Sequence, residues 1–121
     1  MPDNRRHLGA FGEQVAREYL EKCEYQILQQ NYRCSVGEID IVARDGDSLA
    51  FVEVRTRSSR QFGTPEESIT RAKQAKLIEL AESYLQEHQI SNETWRIDVV
   101  AVEVDRNNKV SRIELIENAV G

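Results

Sequence analysis

The sequence is poor in cross-linking residues and has no long apolar run. Two cysteines occur in 121 residues, Cys23 and Cys34. Their spacing fits no zinc-ligand pattern, and they read as buried free thiols in a reducing compartment rather than as a disulfide. No apolar stretch approaches the roughly 20 residues that a membrane-crossing helix needs. The opening Met1-Pro2-Asp3-Asn4-Arg5-Arg6-His7 lacks the apolar core of a signal peptide. These absences predict a cytoplasmic protein with no membrane partner. Internal repeats, linkers and low-complexity segments are also missing, so residues 1–121 are read as a single domain. Positive charge is not in excess either. A net charge of −5 argues against indiscriminate nucleic-acid binding.

The negative balance is uneven. Residues 53–76 carry six Lys/Arg against three Asp/Glu, and this basic segment directly follows Glu53. A composition of 40% hydrophobic and 31% charged residues is ordinary for a globular chain able to bury a core.

Periodicity predicts the element order α-β-β-β-α-β-β. Residues 9–24 have helical spacing, with Phe11, Val15, Ala16, Tyr19, Leu20 and Cys23 on one side. Glu13 falls at the edge of that apolar arc, either beside the buried seam or as a boundary glutamate reaching solvent. Tyr25 to Cys34 reads as a first strand. Thr64-Pro65-Glu66-Glu67 has capping-box chemistry and predicts a short helical turn. Thr70 to His88 is helical, with Ala72, Ala75, Ile78, Leu80, Ala81, Tyr84 and Leu85 on its apolar side. Its opening turns carry Arg71, Lys73 and Lys76, which oppose the helix dipole unless an anion binds there. The alternative is a solvated basic face. Trp95 to Val104 reads as a strand buried on both faces. Its Asp98 calls for a partner such as an arginine and a structural role. Lys109 to Ile116 reads as an edge strand, able in principle to pair with a partner.

Between these elements lies the stretch around which the chain is organised, Gly37 to Arg55. Asp45-Gly46 is a strong hairpin signal and predicts a type I′ turn. That turn pairs Arg44 with Asp47 and sets Ile39 opposite Val52 and Ile41 opposite Ala50, with Val54 on the same apolar face. It also sets Glu38 opposite Glu53 and Asp40 opposite Phe51, so that Glu38, Asp40, Glu53 and Arg55 share the other face. Like charges across a sheet repel, and a divalent cation would resolve the conflict, since hard cations take carboxylate oxygens. The alternative is a hairpin edge laced with Glu and Arg for solubility.

The ordered set Gly12-Glu13, Gly37-Glu38-Ile39-Asp40-Ile41-Val42, Phe51-Val52-Glu53-Val54-Arg55, Lys73-Gln74 and Arg96-Ile97-Asp98-Val99-Val100 resembles the PD-(D/E)XK nuclease superfamily. More narrowly, it is similar to the small bacterial YraN-like family of predicted endonucleases, which is distantly similar to archaeal Holliday junction resolvases. The likeness runs over about residues 8–117, and the ordered set carries it rather than any one motif. It implies a restriction-endonuclease-like three-layer α/β fold, a mixed sheet flanked by helices. It implies that Asp40 and Glu53 bind Mg²⁺ or Mn²⁺, with the Val54 carbonyl as a further ligand and Glu13 as the helix-borne acid. Arg55 stands where nucleases usually carry lysine. Arginine stays protonated and cannot take a proton from water, but it can stabilise charge as a fixed cation. No proline precedes Asp40.

The function implied is metal-dependent hydrolysis of phosphodiester bonds in DNA, with a branched substrate and a homodimer suggested by the resolvase likeness. Asp40, Glu53, Arg55 and Glu13 would be the catalytic set. Arg57, Arg60, Arg71, Lys73, Gln74 and Lys76 would hold the nucleic-acid backbone without reading bases. No small organic cofactor is expected. Two alternatives are a catalytically weak or inactive nucleic-acid-binding or protein-interaction module that keeps the fold, and an adaptor that pairs through its last strand.

Overall fold

The structure, a computed structural model, describes the backbone of residues 4–120 and the side chains of residues 7–120. Met1-Pro2-Asp3, part of the opening segment discussed above, lie outside the described residues. Helix α1 (Asn4–Lys22) leads into strands β1 (Gln26–Cys34), β2 (Gly37–Asp45) and β3 (Ser48–Arg57). A 3-10 turn at Glu66–Ser68 precedes helix α2 (Arg71–Glu87), and β4 (Thr94–Val104) and β5 (Val110–Val120) follow. The strands form one sheet in sequence order. All neighbours are antiparallel except β3 and β4, which run parallel because α2 carries the chain back between them. The expected α/β order and mixed sheet are thus present.

Alternation along the central strands divides the core into two layers. Leu49 and Phe51 of β3 pack with Tyr32, Val42, Ile97 and the α2 residues Leu77, Leu80, Ala81 and Tyr84. Ala50 and Val52 pack on the other face with Ile41, Val100, Val102 and the α1 residues Ala16 and Leu20. The sheet is therefore sandwiched between the two helices. β4 is buried almost throughout, which explains its continuous apolar run. No helix among the described residues is long and apolar enough to cross a membrane.

Several expectations need correction. The hairpin turns at Gly46-Asp47, not Asp45-Gly46, so Asp45 pairs with Ser48, Ala43 with Ala50 and Ile41 with Val52. Gly46 has φ +59 while Asp47 keeps a negative φ, which matches glycine in the first central place of a two-residue turn. Ile39 does not join Ile41 on one face. It packs with the α2 layer, so alternation breaks between the two residues. Helix α1 begins at Asn4, well before residue 9, and β5 runs on to Val120. Phe11 is 38% exposed and Cys23 is exposed rather than buried. In α2, Ala72 and Ala75 face solvent, and Leu77 takes the seam position instead.

Candidate active site

The β2–β3 ladder stops at Ile41↔Val52, and Asp40 lies just beyond it. The Val54 N–H donates to Asp40 Oδ2 at 2.8 Å, so a side chain takes the place of the missing ladder acceptor. In an extended strand the N–H and C=O of one residue point toward the same neighbour, which turns the Val54 carbonyl toward this gap as well.

Helix α1 supplies the next acid. Gly12 lies so close to β3 that a Cβ placed there would meet Thr56 Oγ1 at 1.9 Å. This close approach brings Glu13, one position on, to the opened hairpin. Ligand oxygens of Glu13, Glu38 and Asp40 all lie within 4.8 Å of one another. Asn31 joins them from β1 with φ +54, a left-handed conformation that asparagine tolerates. With its NH₂ toward the acids, Asn31 donates to Glu38 Oε1 at 2.7 Å and Glu13 Oε1 at 3.0 Å.

Glu53 is only 5% exposed, and cations flank it. Its Oε2 lies 3.1 Å from Arg55 Nη2 and 3.4 Å from Lys73 Nζ. Lys73 sits in the first turn of α2, whose N-cap Thr70 accepts from the Lys73 N–H at 3.1 Å. The Glu53 charge also acts on Asp40.

The electrostatics follow from this crowding. Burial, and then the charges of Glu53 and Glu13, raise the Asp40 carboxyl well above its ordinary range, against the opposing Val54 N–H. Glu13 is raised too, by burial first and then by Glu38 and Glu53. Asp40, Glu13, Val54, Arg55, Arg57 and Phe62 border a cleft of about 430 Å³. Arg55 Nε is buried there without a hydrogen-bond partner, a donor without an acceptor among the described residues.

The remaining basic residues divide. Arg57 borders the cleft and Lys73 reaches Glu53. Arg71 is exposed at the start of α2. Lys76 pairs loosely with Glu79 at 3.8 Å. Arg60 is taken up by Glu103, with contacts of 2.6 and 2.8 Å. Gln74 turns its amide toward the Ile69 carbonyl at 3.5 Å and lines a separate hollow with Val99 and Ile116. Asp98 is fully buried and satisfied by Arg96 Nε at 2.9 Å, Tyr25 Oη at 2.9 Å and the Asn118 N–H at 2.9 Å, the structural role expected of it.

Two residues escaped the site expected from sequence. Glu38 was legible as an acid of the hairpin, but hairpin pairing set it against Glu53, and only the packing of α1 brings Glu13 to it. Asn31 stands in an unremarkable polar stretch and carried no signal.

A profile of the uncharacterised protein family UPF0102 matches residues 12–102. The chain belongs to the UPF0102 family. It is 47% identical to a UPF0102 protein of Caldicellulosiruptor saccharolyticus over 96% of this chain and 98% of the relative. It is 46% identical to one from Moorella thermoacetica, over 98% and 99%, and 47% identical to one from Chloroflexus aurantiacus, over 100% and 98%. The UPF0102 match opens at Gly12 and spans the whole acid cluster, Arg55 and Lys73.

The donor set fits a hard divalent cation. It consists of oxygens: three carboxylates within 4.8 Å of one another, with the Val54 carbonyl turned toward the same gap and Asn31 holding two of the acids through its NH₂. The raised proton affinity of Asp40 and Glu13 is what such crowding produces when nothing offsets the charge.

Proposed function

We propose that this UPF0102 protein is a metal-dependent endonuclease that hydrolyses phosphodiester bonds of DNA, branched DNA included. The observation that carries the reading is the convergence of Glu13, Glu38 and Asp40, two of which, Glu13 and Asp40, border one cleft with Arg55. Asp40, Glu13 and Glu38, with Glu53 and the Val54 carbonyl, would hold Mg²⁺ or Mn²⁺. Bound there, the cation would lower the pKa of a water and polarise the phosphate. The chain's own groups do the rest. Asp40 is fixed by the Val54 N–H, so its free lone pairs face the cleft. Asn31 ties Glu13 to Glu38. The Arg55 guanidinium borders the cleft and would stabilise charge that develops on a phosphate oxygen. Arg57 and Arg71 steer the backbone without reading bases. A homodimer would present two such clefts to a branched substrate.

One observation favours a second reading, a binding module that keeps the nuclease fold with little or no turnover. Arg55 and Lys73 already neutralise Glu53, and Arg55 cannot accept a proton from water. Incubating branched, flapped and linear DNAs with Mg²⁺, Mn²⁺ or EDTA separates the readings. Cation-dependent cleavage by the wild type, lost in Asp40→Asn, supports the nuclease. Binding without cleavage of any substrate supports the module. A gain of cleavage in Arg55→Lys would mark the native site as under-equipped for proton transfer.

A further inference from the structure

Phe62 is 81% exposed, whereas no other exposed large hydrophobic side chain among the described residues exceeds 40%. It stands at the border of the cleft that holds Asp40, Glu13 and Arg55. The segment that carries it is tethered on both sides. Two residues earlier, Arg60 grips Glu103 with paired contacts of 2.6 and 2.8 Å, and Glu103 is itself buried and held by Arg112 at 3.0 Å. On the other side, the Gly63 N–H returns to the Arg60 carbonyl at 3.0 Å, and Thr64 and Glu67 cap the following turn. The fold therefore holds an aromatic ring in water beside a charged cleft, at a place where burying it against the core is prevented by these anchors.

We propose that Phe62 is a stacking platform for an unpaired nucleobase next to the phosphate in the cleft. The inference rests on the nuclease reading and narrows its substrate class to DNA with unstacked bases, such as flaps, bulges and branch points. A phenyl ring has no hydrogen-bonding edge, so it offers any base a face and reads no sequence. Inside a duplex both faces of a base are already covered by its neighbours, so only a base freed from the stack can take the position. Arg57 borders the same cleft and supplies the cation that a strand held there needs, and Ser58 and Ser59 add short polar groups.

Fluorescence anisotropy of the full chain in EDTA tests the proposal without chemistry. Labelled single-stranded, flapped and fully paired DNAs of one sequence are titrated with wild type, Phe62→Ala, Phe62→Leu and Phe62→Trp. Loss of one stacked base corresponds to roughly 5- to 150-fold in affinity. Phe62→Ala and Phe62→Leu are expected to lose affinity within that range for single-stranded and flapped DNA, and to stay within about twofold for the duplex. Phe62→Trp keeps wild-type affinity. An equal loss on all three DNAs, or no loss on any, overturns the proposal. So does a Phe62→Ala protein whose sedimentation shifts from dimer to monomer with DNA affinity unchanged, since the ring would then serve self-association. Absence of DNA binding by the wild type in EDTA overturns this inference, and the nuclease reading falls with it only when cleavage is also absent after Mg²⁺ replaces EDTA. A selective loss in these variants, alongside no cleavage when Mg²⁺ replaces EDTA, supports the stacking role and removes only the nuclease reading.

Discussion

Asp40 bears the main conflict of the site. Its carboxyl is crowded by Glu53 and Glu13 and largely withdrawn from water, so the folded chain holds its proton more tightly than the unfolded chain does. The group therefore costs stability as pH climbs from the ordinary carboxylate range toward the raised value. Asp40→Asn keeps the acceptor for Val54 and removes the charge. Without added metal near neutral pH, it is expected to melt higher than wild type by about 2–6 °C, the scale of a 1 kcal/mol change in a domain of this size. Thermal melts with and without Mn²⁺ check this, with the stabilisation by Mn²⁺ lost in the variant. The acids and Arg55 were legible in the sequence because their chemistry is written in residue type and order. Asn31 was not, because nothing in a polar stretch marks which amide will face a cluster formed by three distant segments.

At the level of elements, the position of α1 against β3 decides whether Glu13 reaches the cluster. Gly12→Ala would put a methyl group 1.9 Å from Thr56 Oγ1, and relief requires the helix or Thr56 to shift. The expected cost is roughly 1–3 kcal/mol in chemical denaturation, with weakened cation binding. Gly9→Ala meets nothing within 4 Å and serves as the neutral or slightly stabilising control. A second tie joins the 3-10 turn to β5. Arg112 holds Glu66 with contacts of 2.7 and 3.0 Å, and that hydrogen bonding first of all lowers the Glu66 carboxyl from 4.5 to about 2. A depressed acid stabilises the fold above its unfolded pKa and loses that contribution as pH falls through the folded one. Stability should thus decline between about 4.5 and 2, and Glu66→Gln should flatten that part of a urea-denaturation series against pH. The element order was legible because period and capping chemistry are local. The hairpin register was not. Asp45-Gly46 and Gly46-Asp47 both satisfy turn chemistry, and the two registers differ by two residues, which leaves every side chain on the same face, so alternation does not distinguish them.

Over the whole molecule, the acidic balance and the thin basic border imply weak attachment to a polyanion. Of the six groups expected to hold the backbone, Arg60 is engaged by Glu103 and Gln74 faces another hollow. Few phosphates are then neutralised, and the dependence of log affinity on log salt should have a slope of only about −2 to −4, measured by anisotropy across a salt series. The three-layer arrangement was legible from alternation in β3 and the continuous apolar run of β4. The cleft itself was not, because it exists only where β2 leaves β3 and α1 closes over the gap.

The account depends on the Glu13–Glu38–Asp40 cluster taking up a divalent cation, and calorimetric titration of Mn²⁺ into the full chain tests this most directly. One site is expected per chain, abolished in Asp40→Asn. Its affinity should rise with pH by about tenfold per unit while the cation displaces one proton from the cluster. Binding that is absent in the wild type, or unchanged in Asp40→Asn, would contradict it.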